Sequence, residues 1–148
     1  MRTQRAALGL AAALLPINTI PITPHQPDPW VRQVRRELQS NQTTAGLLGY
    51  ELTHDPFVGS LNEGRYRTHT ATLRAGTEYA VTAVCDADCS DLDLQVLRDS
   101  TKVAEDVEVD DFPMVVLKPR SSGTYRIRVI MESCDDSPCR YGIGIYGR

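Results

Sequence analysis

The 148-residue chain predicts an all-β fold, an antiparallel β-sandwich of about seven strands preceded by a short N-terminal helix. Two observations carry this. From about Arg65 onward, apolar residues recur at every second position, the period at which strand side chains alternate between faces. Turn-forming residues interrupt that alternation about every ten positions, the spacing of a sandwich or barrel. The length suits one domain with one core.

The elements follow in order. Residues 1–19 read as a secretory signal peptide, with Arg2 and Arg5 ahead of an uncharged apolar run over residues 6–15. That run is about half of the roughly 20 residues needed to span a bilayer, and no later segment comes closer. The expected protein is therefore secreted or periplasmic, with no membrane span; the other reading is an Ala/Leu-rich helix that stays attached. Residues 20–59 read as a proline-rich linker and a short amphipathic helix. Pro16, Pro21, Pro24, Pro27 and Pro29 fix φ and remove amide donors. Asp28 can cap a helix with Pro29 in its first turn, and Trp30, Val31, Val34 and Leu38 recur at helical spacing opposite Arg32, Arg35 and Arg36. Such a helix either packs Trp30 onto the domain or docks on a partner or an anionic surface. Asn41-Gln42-Thr43 matches a glycosylation acceptor, a short and common pattern.

Residues 60–148 read as the sandwich. Turns are expected at residues 75–76, 86–90, 99–100, 108–111, 119–123 and 135–138, which leaves seven strands between Arg65 and the C-terminus. Tyr79, Val81 and Ala83 alternate with polar or small residues. So do Leu92, Leu94 and Val96, then Tyr125, Ile127, Val129 and Met131, and finally Tyr141, Ile143 and Ile145; each set can line a core face.

If consecutive strands run antiparallel, alternate turns fall at the same end. One pole then collects the loops near residues 85–91, 105–111 and 132–139, and with them eleven of the nineteen acids. The other collects Arg74, Arg98, Lys102, Lys118 and Arg120, with Arg148 nearby. The net charge of −3 hides this polarity, and it gives no global basic field for neutralising phosphates, so nucleic acid is not an expected partner. Crowded carboxylates repel by a few kcal/mol per close pair at an effective dielectric constant of about 20. Two arrangements would offset that cost. Calcium accepts carboxylate and carbonyl oxygens, and its candidate ligands are Asp86, Asp88, Asp91, Asp110 and Asp111. Alternatively, turn aspartates accept bonds from nearby backbone amides while water and salt screen the rest.

Four cysteines fit an oxidising compartment. Cys85 and Cys89 enclose three residues, Cys134 and Cys139 enclose four, and neither gap is the two-residue gap usual in zinc knuckles or thioredoxin-like sites. Local pairing, Cys85 with Cys89 and Cys134 with Cys139, is favoured over cross-pairing between the two loops.

Four segments in order resemble the strands of bacterial pre-peptidase C-terminal domains. They are Ala75-Gly76-Thr77-Glu78-Tyr79, Ser90-Asp91-Leu92-Asp93-Leu94, Ser122-Gly123-Thr124-Tyr125-Arg126-Ile127-Arg128-Val129 and Tyr141-Gly142-Ile143. The resemblance spans about residues 60–148. It implies a jelly-roll type of β-sandwich, of the kind appended to secreted peptidases, with relatives among calcium-dependent collagen-binding domains. This chain departs from the pattern in carrying the cysteine pairs and no peptidase ahead of the module.

No enzyme is expected. His25, His54 and His69 are scattered over linker, loop and strand, with no nucleophile–base pair at working spacing. The expected function is a secreted non-catalytic module that binds an extracellular protein or polysaccharide, using exposed Tyr66 or Tyr146 or the acidic loops, with calcium a candidate cofactor. The alternative is a structural or targeting accessory domain in the export of a peptidase, with no ligand of its own.

Overall fold

The computed structural model describes residues 29–148. The expected signal peptide, most of the proline stretch, the Asp28 cap and His25 lie outside them. The elements are α1 (Pro29–Thr44), β1 (Glu51–Leu52), β2 (Phe57–Leu61), β3 (Arg65–Leu73), β4 (Tyr79–Cys85), β5 (Cys89–Arg98), β6 (Thr101–Asp106), β7 (Met114–Leu117), β8 (Gly123–Cys134) and β9 (Cys139–Gly147). The last seven strands are those read from the alternation. β1 and β2 are additional; both pair with β9, so the sheet already starts ahead of residue 60.

Two antiparallel sheets form the sandwich, one ordered β2–β9–β4–β7 with β1 also on β9, the other β3–β8–β5–β6. The pairs β2·β9, β3·β8, β4·β7 and β5·β6 are nested, as though one long hairpin had been folded over on itself, which is the jelly-roll arrangement. Leu73, Leu92, Leu94, Ile127, Met131 and Ile143 fill the space between the sheets. On β5, Leu92, Leu94 and Val96 are fully buried while Asp91, Asp93 and Gln95 take the opposite face.

β4 and β9 differ from a half-buried strand, because both their faces are covered. Their outer face carries α1. Trp30, Val34 and Leu38, one helical stripe, pack with Leu47 and Tyr50 on Ala80, Val84 and Tyr146 in a second core. Each fully buried side chain of this size contributes about 1.5–3 kcal/mol. The small residues between the large ones on these strands are thus a seat for the helix. α1 packs onto the domain with its apolar stripe, and Arg32, Arg35 and Arg36 stay exposed.

Tyr146, expected to be an exposed ligand contact, is 2% exposed, and its hydroxyl donates to the Leu38 carbonyl oxygen at 2.9 Å. Covering by α1 is the reason. Tyr66, at 61%, is exposed as expected.

Candidate functional site: the acidic loop pole

The registers place both cysteine-bearing turns at one end. Cys89 lies opposite Cys134 across β5 and β8, and the disulfides are Cys85–Cys89 and Cys134–Cys139, each local. Backbone bonds then tie the loops to one another. The Asp135 amide donates to the Asp88 carbonyl at 2.8 Å, the Asp86 amide to the Arg140 carbonyl at 3.1 Å, and the Leu92 amide to the Asp110 carbonyl at 2.9 Å. The β4–β5, β6–β7 and β8–β9 loops are therefore one surface, as the alternation implied.

A fourth loop joins them that sequence reading left out. Glu63, between β2 and β3, accepts from the Cys134 amide at 3.1 Å, and its own amide donates to Ser137 Oγ at 3.2 Å. Only the presence of β2 on β9 brings it here, and the five residues of β2 carry no clear alternation. Glu105, by contrast, lies within β6, where its carboxylate pairs with Lys102.

Several of the acids are structural acceptors. Asp106 takes the Glu108 amide at 3.2 Å and the Met114 amide at 2.8 Å; Asp110 takes the Phe112 amide at 2.9 Å; Asp86 takes the Arg140 amide at 2.9 Å. These bonds shape the turns. Of the five candidate calcium ligands, Asp91 and Asp110 are brought close enough to interact: burial, then the Asp110 charge, raises the Asp91 pKa. Asp86 turns its Oδ2 to a backbone amide, and Asp88 and Asp111 are exposed. Among the described residues no three His, Cys, Asp or Glu side chains converge to hold a metal ion.

The carboxyl most altered by its surroundings is Asp93, on the outer face of the four-stranded sheet. Burial, with Glu132, Asp91, Asp106 and Glu105 around it, pushes its pKa up to about 6. The alternation shows that Asp93 turns away from the core beside Asp91; its other acidic neighbours come from β6 and β8, which no local pattern reveals.

The two described histidines have packing partners. His54 bonds Thr53 Oγ1 at 2.8 Å and the Thr72 carbonyl at 3.2 Å. His69 stacks on Phe57, with centroids 4.6 Å apart, and meets the Tyr141 hydroxyl at 2.9 Å. Burial, then Arg67, lowers the His69 pKa, which keeps the ring neutral at pH 7.

At the far end, the Gly76 amide donates to the Pro119 carbonyl at 3.2 Å, the Ala75 amide to Ser122 Oγ at 2.8 Å, and Arg98 Nη1 to the Ser121 carbonyl at 2.9 Å. The second set of loops is gathered there, with Arg74, Arg98, Lys118 and Arg120.

No family model matches the sequence, and no curated protein matches it. Among solved structures, the pre-peptidase C-terminal domain of collagenase from Bacillus anthracis is similar at 12% identity and a TM-score of 0.47, over 61% of this chain and 86% of that one. Aeromonas hydrophila PliG, a periplasmic lysozyme inhibitor of g-type lysozyme, is similar at 15% identity and a TM-score of 0.46, over 63% of this chain and 84% of that one. A de novo designed double-stranded β-helix is similar at 15% identity and a TM-score of 0.37, over 62% of this chain and 99% of that one. At these scores the likeness bears on neither activity nor partners.

Proposed function

We propose that the chain is a secreted, non-catalytic β-sandwich module that binds an extracellular protein or polysaccharide through its acidic loop pole. In this reading the sandwich is of the pre-peptidase C-terminal type, on the four segments that resemble it. The observation that carries the binding role is the tying of three loops into one acidic surface by backbone bonds, with the Glu63 loop joined through its side-chain bonds and two of the loops each pinned by a local disulfide. A partner meets carboxylates already in place, with little ordering cost on this side. The disulfides fit an oxidising compartment. The packing of His54 and His69 against neighbours supports the non-catalytic part.

Calcium belongs to the reading as a cofactor of the pole. Asp86 Oδ1 and Asp91 Oδ1 are buried with no hydrogen-bond partner, and calcium accepts such oxygens. Since the described acids do not converge, the ion would have to draw the loops together. A melting temperature unchanged between added calcium and added chelator removes this part alone.

The test is retention of the purified protein on a panel of immobilised basic proteins and polysaccharides. Saturable retention on one member, weakened by Asp88→Asn/Asp135→Asn/Asp136→Asn, is expected. Retention on none, or retention indifferent to that triple substitution, overturns the reading.

A further inference from the structure

The β6–β7 edge ends in two unlike surfaces. At its acidic end, residues 107–111 form a tip of alternating valines and acids, Val107-Glu108-Val109-Asp110-Asp111. The Asp110 amide donates to the Glu108 carbonyl at 2.9 Å, which bends the chain around Val109 and leaves that side chain 85% exposed; Val107 is 52% exposed. The tip is held in shape: Asp106 and Asp110 accept the Glu108 and Phe112 amides, and the Asp110 carbonyl is tied to Leu92. The loop thus presents an apolar residue flanked by carboxylates in a fixed shape, so a partner meets it with little ordering cost.

At the other end of the same edge lies a groove of about 460 Å³ that no carboxylate lines. Its cations are Arg98, Lys118 and Arg120, and its apolar side includes Val103 and Val116, 47% and 51% exposed. Arg98 is fixed in place. Its guanidinium lies 4.9 Å from the Tyr125 ring centroid, donates to the Ser121 carbonyl, and passes over Gly123, where a Cβ would come within 3.1 Å of it. Lys118 feels the charge of Glu78, but that carboxylate is already held by Arg148 and the Tyr50 hydroxyl. Arg120 has no ion-pair partner among the described residues.

Tip and groove match in both properties that decide a small interface, valines against valines and acids against three cations. β6 and β7 run from one to the other, so a shift along the strand direction stacks the tip of one molecule on the groove of the next. We propose that residues 107–111 of one copy dock in the Arg98, Lys118, Arg120 groove of a second copy. The contact is heterologous, head to tail, so it propagates unless the rotation closes a ring.

Sedimentation velocity on the purified protein tests this. Reversible association that weakens at least about tenfold between roughly 50 mM and 500 mM salt is expected, because the Debye length falls below the reach of the paired charges. A groove variant, Lys118→Glu/Arg120→Glu, and a tip variant, Glu108→Lys/Val109→Asp, each stop self-association. Mixed together they form a dimer that grows no further, since one retains a working tip and the other a working groove. All four positions are exposed, and the salt series on the unaltered protein does not depend on how either variant folds. The proposal is overturned by a protein that stays monomeric at about 1 mM in low salt, by association indifferent to salt, by self-association that survives either variant, or by variants that fail to pair when mixed. A groove that captures an acidic polysaccharide in a protein that never self-associates also overturns it.

Discussion

Gly142 of β9 sits so close under Val34 of α1 that a Cβ at position 142 would lie 2.1 Å from Val34 Cγ1. The helix approaches the sheet through the absence of a side chain, and no backbone requirement for glycine is involved. Gly142→Ala therefore overpacks the second core and is expected to cost about 1–3 kcal/mol. Val34→Ala alone leaves a small cavity and also destabilises. In the double variant the two changes relieve each other by about 0.5–3 kcal/mol. Urea unfolding of the four proteins measures this; strictly additive losses would show that α1 does not rest on Gly142.

The two tyrosines expected at the surface have different fates, which stability measurements separate. Tyr146→Phe removes the buried hydrogen bond from the hydroxyl to the Leu38 carbonyl, an oxygen within the span of α1, for a loss of about 0.5–1.5 kcal/mol. Tyr66 lies under the Arg128 guanidinium, 4.7 Å from its centroid, on an exposed strand face. Tyr66→Ala is expected to cost no more than about 1 kcal/mol. A Tyr146→Phe protein as stable as the unaltered one contradicts the hydrogen bond from Tyr146 to Leu38.

These residues show where sequence reading stops. The strands of the sandwich and its two charged poles were legible because side-chain alternation is local and because antiparallel order sends alternate turns to the same end. Tyr146 was misplaced because alternation tells which residues share a face but not what covers the second face; Ala80, Gly142 and Gly144 read equally well as a solvent side and as a helix seat. Glu63 was missed for a related reason. It reaches the acidic pole through β2, a five-residue strand whose pairing with β9 spans some 80 positions of sequence and leaves no periodic trace. The crowding around Asp93 likewise comes from the adjacency of β8, β5 and β6.

The disulfides stabilise loops already tied by the backbone. Each closes a short loop, and chain-entropy scaling gives about 2 kcal/mol per bond. Cys134→Ser/Cys139→Ser should lower stability by that amount. It should also loosen the Asp135 amide from the Asp88 carbonyl, so hydrogen exchange at residues 135–137 accelerates beyond the global loss while Ile127 and Val129 follow the global loss alone. Uniform acceleration across the chain would mean that the bond acts on overall stability without fixing the pole.

Asp93 gives the domain a pH dependence of unusual sign for a carboxylate. Its pKa is about 6 in the folded protein against an ordinary 3.8, through burial first and then through Glu132, Asp91, Asp106 and Glu105. The folded state therefore binds this proton more tightly than the unfolded chain. Through this group, stability rises as pH falls from above 6 toward 4, and is lost again as pH climbs back through 6. The full shift corresponds to about 3 kcal/mol; screening at a sheet face in contact with water reduces it to about 1–2 kcal/mol. Asp93→Asn keeps the shape and removes the charge. It should stabilise the protein by about that amount at pH 7.5, have little effect at pH 4, and lose part of its advantage in high salt. Urea unfolding of both proteins across this range measures the effect of Asp93 together with its repulsion from the four neighbouring acids. Parallel stability curves, or a variant less stable at pH 7.5, would mean that Asp93 is not strained by its acidic neighbours.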